Sequence, residues 1–172
     1  MNRDNSPTTL RVAYLELRQP PATVAPRPRQ EQVRIERLDV AGYLALYRAV
    51  GESLKWDQRT RMTAADLEAL LNSPSLRIHV LRDADGRALG FCEFDRSSFP
   101  EVEMKNFGLI PAAYGRGLGS WLLATALHVE WESGPARIWL HTDSWDHPSA
   151  VPVYEQAGFK VYAVRDQPAD GL

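Results

Sequence analysis

One stretch, residues 107–123, constrains the fold of this 172-residue chain more than any other. It reads as a strand, a turn with a proline, a loop with Gly115, Gly117 and Gly119, and the start of a long helix. Glycine leaves the backbone of a loop open to close approach, and the first N–H groups of a helix have no partner within it. The stretch therefore predicts an anion site, most often one for phosphate. The alternative is a flexible turn in which glycine only relieves strain.

The composition limits the classes of protein to which the chain can belong. Its length predicts one domain, and 44% hydrophobic with 24% charged residues is typical of a globular protein. A net charge of −2 gives no basic field for nucleic acid or an anionic membrane, and no apolar run approaches the ~20 residues that span a bilayer. The single cysteine, Cys92, excludes an intrachain disulfide and a multi-cysteine metal site, so no metal is expected. Without the apolar core of a secretory signal near its start, the chain is expected to be cytoplasmic.

Hydrophobic periodicity predicts the order of strands and helices. Apolar alternation indicates strands over residues 10–18, 33–38, 76–81, 88–94, 101–110, 137–141 and 159–164. Asp39, Thr63 and Ser149 are predicted N-caps of three helices, and a fourth helix follows the glycine loop to about residue 132. A meander implies antiparallel strands, whereas a helix between strands implies a parallel crossover. The predicted fold class is therefore α/β (α+β), a mixed, largely antiparallel sheet of six to seven strands with helices on both faces.

The first predicted strand stands apart from the others in the sequence. A proline-rich connection over residues 19–30 follows it, which divides the chain into residues 1–30 and a main domain over residues 31–172. The strand could add to a sheet edge or to a neighbouring subunit. Homodimerisation through this strand therefore stays open.

Two motifs carry a resemblance to a known family. The sequence LIPAAYGRGLGSWLL at residues 109–123 closely resembles the acetyl-CoA signature of the GNAT superfamily of N-acetyltransferases, in which Gln/Arg-x-x-Gly-x-Gly/Ala opens a helix. Further along, SAVPVYEQAGF at residues 149–159 resembles the second signature of that family, Ala-x-x-x-Tyr-Glu-x-x-Gly-Phe. The resemblance covers roughly residues 33–164 and implies a GNAT-like acyl-CoA acyltransferase fold with acetyl-CoA as cosubstrate.

The resemblance also implies a cofactor-binding set. The backbone around Leu109 and Ile110 would pair with pantetheine and hold the thioester carbonyl. His147, which stands where many members have Asn, would hydrogen-bond the cofactor or the backbone. The amides that would bind the CoA pyrophosphate belong to Tyr114 (at a position that usually holds Gln or Arg), Gly115, Arg116, Gly117, Leu118, Gly119 and Ser120.

Catalysis in this family needs a general acid and a general base. Tyr154 matches the tyrosine that protonates the departing thiolate, although a tyrosine that only packs its helix on the sheet would fit the same pattern. Glu103, with Glu101 on the same strand face, is the expected base, directly or through water. His141 is the second candidate, because an unperturbed imidazole titrates near the right pH.

The implied reaction is direct attack of an amine on acetyl-CoA. The expected acceptor is a small molecule, with a peptide or protein amine as a further option, and segments that carry Trp56, Asp57, Trp139, Asp143 and Trp145 could line its side of the site. A dinucleotide fold and a P-loop are excluded, because Ser120 replaces the third glycine of the first and Gly-Lys-Ser/Thr is missing for the second. The alternative from a different class is an acyl-CoA-binding sensor or interaction module on the same fold.

Overall fold

A seven-stranded sheet organises the chain in the computed structural model, which describes residues 9–22 and 30–169. Its strands are β1 (Thr9–Leu17), β2 (Gln32–Glu36), β3 (Leu76–Arg82), β4 (Ala88–Asp95), β5 (Glu101–Leu109), β6 (Arg137–Asp143) and β7 (Lys160–Pro168). They lie in the order β2-β3-β4-β5-β6-β1-β7, and every neighbouring pair is antiparallel except β5 and β6. This mixed, largely antiparallel sheet confirms the predicted fold class.

Four α-helices of the described residues cover the sheet: α1 (Val40–Gly51), α2 (Ala64–Leu71), α3 (Leu118–Trp131) and α4 (Ala150–Gln156). Successive residues of a strand point to opposite faces of a sheet. On β5, a Cβ added to Gly108 would lie 2.6 Å from Cγ1 of Val50 in α1. The next side chain, Leu109, instead lies 3.6 Å from the Cβ position of Gly119 in α3. The helices therefore occupy both faces, as the sequence predicted.

Two predicted N-caps set the starts of α1 and α2. The Asp39 carboxylate accepts a hydrogen bond from the Gly42 N–H at 2.7 Å. The Thr63 hydroxyl oxygen accepts one from the Asp66 N–H at 3.1 Å and donates to the Asp66 carboxylate at 2.7 Å. Each cap satisfies N–H groups that the helix itself leaves without a partner.

Strand β1 lies inside the sheet, between β6 and β7. Leu17 pairs with Ile138 of β6 at one end, and Thr9 pairs with Pro168 of β7 at the other. Both of its edges are therefore occupied by strands of the same chain, and neither alternative considered from the sequence, a sheet edge or a neighbouring subunit, describes it. Homodimerisation through this strand stays a prediction.

Strands β5 and β6 form a forked pair. Over the described residues they pair in parallel only at residues 101–103 opposite 137–139, and beyond this point they diverge. The outer edge of β5 continues to pair with β4, and the outer edge of β6 with β1. Two inner strand edges therefore face each other across a cleft of about 350 Å³.

A buried ionic cluster ties α3 to the sheet far from this cleft. The Glu130 carboxylate is fully buried and accepts hydrogen bonds from His79 Nε2 at 2.8 Å and Arg96 at 2.6 Å. Burial alone would raise the pKa of Glu130, but these two hydrogen bonds, together with electrostatic attraction from His79 and Arg77, hold the pKa below its usual 4.5. The ionised carboxylate is therefore part of the folded structure.

The C-terminal strand is longer than predicted. It extends to Pro168 rather than ending at Val164, because β1 supplies a pairing partner along its whole length. Residues 23–29 of the predicted proline-rich connection lie outside the described residues, as do residues 170–172 of the polar tail. Among the described helices, none has the length and apolar character needed to cross a bilayer.

Candidate active site

Two of the three glycines in the loop have a backbone conformation that favours glycine. Gly115 and Gly117 have φ values of 75° and 68°, in the left-handed region that side chains disfavour. Gly119 lies within α3 at ordinary helical dihedrals, and an added Cβ there would make normal van der Waals contacts. Because α3 begins at Leu118, the first-turn N–H groups that lack helical partners open toward the cleft.

Most of the residues predicted from the sequence line one cleft. Those that do are Leu109, Tyr114, Gly115, Gly117, Leu118, Gly119, Ser120, His141, His147 and Tyr154. Three predicted residues, Glu103, Ile110 and Arg116, are not part of its lining. Arg116 is half-exposed and forms an ion pair with Glu31.

Leu109 and Ile110 differ in the direction of their backbone N–H groups. The Ile110 N–H donates to the Leu89 carbonyl at 2.8 Å, toward β4. Successive N–H groups of a strand point to opposite edges, so the Leu109 N–H points toward the cleft. The Ile110 N–H is therefore turned away from the cleft, whereas the Leu109 N–H faces it.

Tyr154 is held rigidly in the cleft wall by aromatic packing. Its ring centroid lies 5.8 Å from that of Phe107 on β5 and 6.0 Å from that of Phe159. Only 6% of the residue is exposed, and within the described part of the chain its hydroxyl group makes no hydrogen bond. Burial raises the pKa of Tyr154 well above 10, so the hydroxyl is protonated at neutral pH. A fixed, protonated hydroxyl that faces a cleft can act as a proton donor.

His141 lines the cleft and has a buried ring nitrogen with no hydrogen-bond partner among the described residues. It lies on β6 beyond the fork, and its Nδ1 is buried with no hydrogen-bond partner among the described residues. Its ring packs 6.0 Å from that of Tyr14. A buried polar atom without a partner is unfavourable unless a ligand or water satisfies it. Nδ1 of His141 is therefore a buried, unsatisfied polar atom within the described part of the chain.

Glu103 and Glu101 lie at the closed end of the fork. Glu103 forms an ion pair with Lys105 at 2.9 Å, and Glu101 forms one with Arg137 at 3.0 Å. Each lies where β5 and β6 are still paired. Neither carboxylate lines the cleft, because the strands separate only after these residues. The structure brings Tyr154 and His141 together in the lining and keeps Glu103 outside it.

His147 stabilises the start of α4. Its Nδ1 accepts a hydrogen bond from the Ser149 N–H at 3.1 Å, and its ring meets that of Tyr114 edge-on at 5.4 Å. Ser149 is the N-cap residue, as predicted, but its side chain makes no capping hydrogen bond. The imidazole therefore satisfies an N–H at this helix end and joins α4 to the glycine loop.

A pair of carboxylates at the end of β6 was only partly anticipated. Asp143 was named among segments near the acceptor, whereas Asp146 was not singled out. Asp143 accepts from the Trp145 N–H at 2.7 Å, and Asp146 accepts from the Thr142 hydroxyl at 2.5 Å. Burial and then the negative charge of Asp146 raise the pKa of Asp143 above its usual 3.8. No sequence motif identifies Asp146, because its contact with Trp56 joins segments that lie far apart in the sequence.

Sequence reasoning also missed a buried network beneath the loop that joins α1 to α2. The fully buried Glu93 carboxylate accepts from the Tyr43 hydroxyl at 2.5 Å and from Arg59 at 2.5 Å. Burial alone would lower the pKa of Arg59, but the charge of Glu93 keeps it raised. The available signal was a charged residue, Glu93, between the apolar residues Cys92 and Phe94 of β4. The network fixes the loop that carries Trp56.

A comparison with protein families gives this geometry a context. A model of the acetyltransferase (GNAT) family matches residues 43–159. The chain belongs to this family. The matched segment contains the glycine loop, the forked strands and Tyr154, so the predicted resemblance is confirmed.

Curated relatives of this GNAT chain share part of its sequence. It is 35% identical over 112 residues to a mycothiol acetyltransferase from Clavibacter sepedonicus, which covers 62% of the chain and 36% of that protein. A mycothiol acetyltransferase from Thermomonospora curvata is 36% identical over 84 residues, covering 49% of the chain and 28% of that protein. The chain spans about a third of the length of the curated relatives it matches.

Solved structures share the fold at lower identity. A GCN5-related N-acetyltransferase from Sphaerobacter thermophilus superposes with a TM-score of 0.63 at 20% identity, covering 95% of this chain and 52% of that one. The ribosomal-protein-S18-alanine N-acetyltransferase from Escherichia coli gives a TM-score of 0.61 at 19% identity, covering 78% of this chain and 81% of that one. These similarities show the fold alone.

Proposed function

We propose that this GNAT chain is an acetyl-CoA-dependent N-acetyltransferase that moves an acetyl group to the primary amine of a small molecule. The observation that carries the proposal is the fork between β5 and β6. It leaves the Leu109 N–H facing a cleft that also contains the glycine loop and Tyr154. One cleft thus combines an anion site, a free strand edge and a proton donor.

In this proposal acetyl-CoA, the donor of the acetyl group, lies along β5. The CoA pyrophosphate binds at the glycine loop, where Gly115 and Gly117 keep side chains away and the N-terminus of α3 attracts negative charge. The pantetheine amides pair with the inner edge of β5, as an added strand would. The Leu109 N–H donates to the thioester carbonyl oxygen and stabilises the negative charge that develops on it.

The acetyl group moves in one displacement. The amine nitrogen attacks the carbonyl carbon, a C–N bond forms, and the C–S bond breaks without a covalent enzyme intermediate. Tyr154 gives its hydroxyl proton to the departing thiolate. We assign the general base to His141 rather than Glu103, because His141 lies in the cleft lining whereas Glu103 is paired with Lys105 outside it.

A small acceptor is supported by two observations. The cleft has a volume of about 350 Å³, which lies within the range of small-molecule sites. The curated relatives are named mycothiol acetyltransferases, after a small molecule. We carry over the size class and not the compound, since the chain spans about a third of those proteins.

The test measures thiol release from acetyl-CoA with a panel of small primary amines, and identifies the acetylated product by mass spectrometry. We expect one or more amines to release CoA stoichiometrically with product. Micromolar binding of acetyl-CoA without thiol release from any amine would instead support the sensor alternative and refute the proposed reaction.

A pair of variants tests the proposed CoA-binding site separately. Gly117→Glu puts a negative side chain at the anion site and is expected to abolish CoA binding in calorimetry. The matched control is Gly134→Glu, since Gly134 has a similar φ of 66° and open space around its Cβ position, and it does not line the cleft. Both variants carry the same backbone strain, so loss of CoA affinity in both would contradict the assignment of the loop.

A further inference from the structure

Trp56 packs its indole ring against two glycines. A Cβ added to Gly51 would lie 2.5 Å from Cε3 of Trp56, and one added to Gly108 would lie 3.7 Å from Cη2. Lys55 has a φ of 60°, and this left-handed turn brings the Trp56 N–H to the Gly51 carbonyl at 3.0 Å. The ring therefore reaches from the end of α1 to the backbone of β5 inside the fork.

The opposite edge of the ring reaches the other side of the cleft. Nε1 of Trp56 donates to the Asp146 carboxylate at 3.3 Å, and the ammonium of the preceding residue, Lys55, lies 4.6 Å from the centre of the Trp145 ring. Asp146 and Trp145 follow β6, whereas Gly108 belongs to β5. The indole thus crosses the gap between the two forked strands.

The ring and the proposed acid lie on opposite faces of the sheet. Gly108 directs its Cβ position to the α1 face, where Trp56 lies, while the neighbouring Phe107 contacts Tyr154 on the other face. A thioester whose carbonyl is held by the Leu109 N–H, with its sulfur toward Tyr154, extends its acyl chain away from the sulfur toward the α1 face. The acyl chain then meets the indole.

We propose that Trp56 limits the length of the transferred acyl group by closing the α1-face end of the cleft. The inference rests on the proposed function, since it takes the position of the thioester from it. A methyl group ends before the ring, whereas a longer chain must displace a side chain that Tyr47 and Phe91 hold in place by ring contacts at 5.5 and 6.2 Å. Each methylene that does not fit is expected to lower kcat/KM by about 10- to 200-fold.

The experiment compares acetyl-, propionyl-, butyryl- and hexanoyl-CoA with the wild-type chain and Trp56→Ala. Two readouts are used: thiol release with the best amine of the panel, or with water where no amine reacts, and calorimetric affinity for each thioester. We expect Trp56→Ala to raise the butyryl-to-acetyl ratio of kcat/KM by about tenfold or more. Trp56→Phe keeps a ring without Nε1–H and separates the steric wall from its hydrogen bond to Asp146.

The matched control is Trp139→Ala, the same change at a β6 residue that does not line the cleft. It is expected to leave the ratio unchanged. If Trp56→Ala does not fold, Trp56→Leu gives the same comparison with a smaller shift.

Three results would overturn the inference: a wild-type chain that uses hexanoyl-CoA as well as acetyl-CoA, an unchanged ratio in a folded Trp56 variant, or an equal shift in Trp139→Ala. If the wild type binds acyl-CoA and releases thiol but the ratio does not move, this inference alone fails. If the wild type binds no acyl-CoA at all, the proposed function fails and the inference fails with it.

Discussion

The substitution Tyr154→Phe removes a single oxygen atom. It separates the effect of this residue on the catalytic rate from its effect on the free energy of unfolding. The ring contacts with Phe107 and Phe159 stay, because they involve only carbon atoms. Within the described residues the Tyr154 hydroxyl has no hydrogen-bond partner, so the substitution leaves no donor or acceptor unsatisfied. We therefore expect the free energy of unfolding to change by less than about 1 kcal/mol.

The same substitution is expected to lower kcat strongly. A positioned general acid contributes about 10²- to 10⁴-fold, which corresponds to about 2.7–5.4 kcal/mol of transition-state stabilisation. The pKa of Tyr154 is raised above 10, so the acid stays protonated as pH rises toward 10. Wild-type activity should therefore show no loss below pH 10 that can be assigned to this group.

The assay combines steady-state thiol release, calorimetric affinity for acetyl-CoA, and chemical denaturation of the wild type and the variant. Tyr14→Phe is the matched control, because the Tyr14 hydroxyl accepts from Gln167 at 2.8 Å and lies outside the cleft lining. The control should lose about 0.5–1.5 kcal/mol of stability and no activity. A Tyr154→Phe variant with a kcat within threefold of the wild type, or with CoA affinity and stability reduced in parallel, would refute the assignment of the acid.

Three further predictions concern the loop, the fold and the base. Gly117→Ala should cost about 1–2 kcal/mol of stability by denaturation because of its left-handed φ, whereas Gly119→Ala, in a helix with room for a Cβ, should cost nothing; equal costs would contradict this. Glu130→Ala should cost about 3–5 kcal/mol at pH 7 while CoA affinity stays unchanged. Because the folded pKa of Glu130 lies below 4.5, this contribution is present above that pH and is lost as pH falls through the folded pKa, which melting curves at several pH values will detect. His141→Gln should lower kcat while the affinity for acetyl-CoA stays unchanged, whereas Glu103→Gln should leave kcat intact; the reverse pattern would return the role of base to Glu103.

Local patterns in the sequence predicted the parts of the structure that depend on neighbouring residues. Asp39 and Thr63 cap their helices as expected, because a cap is a contact within three positions along the chain. The glycines of the loop were predicted to keep side chains away from an anion, and their left-handed φ values are consistent with that. The second family signature singled out Tyr154 and placed it in the helix that follows the last strand of the cleft.

Contacts between distant segments were not predictable in the same way. Alternation identified β1 as a strand but carried no information on its partners, since pairing depends on residues far along the chain. Trp56 was noted among aromatic residues near the acceptor, yet its contact with Asp146 spans two loops and leaves no periodic signal. Glu103 was favoured as base from its strand face alone, which could not show that the strands separate only beyond it.

The interior position of β1 has a consequence for the order of events during synthesis. Residues 9–17 are synthesised before β6 and β7, but Leu17 pairs with Ile138 and Thr9 pairs with Pro168. At roughly 5–20 residues per second, the first of these partners is made about 6–24 s after β1. Among the described strands β1 therefore waits longest for its neighbours, and the end of the sheet formed by β6, β1 and β7 assembles only after residues 137–168 have been made.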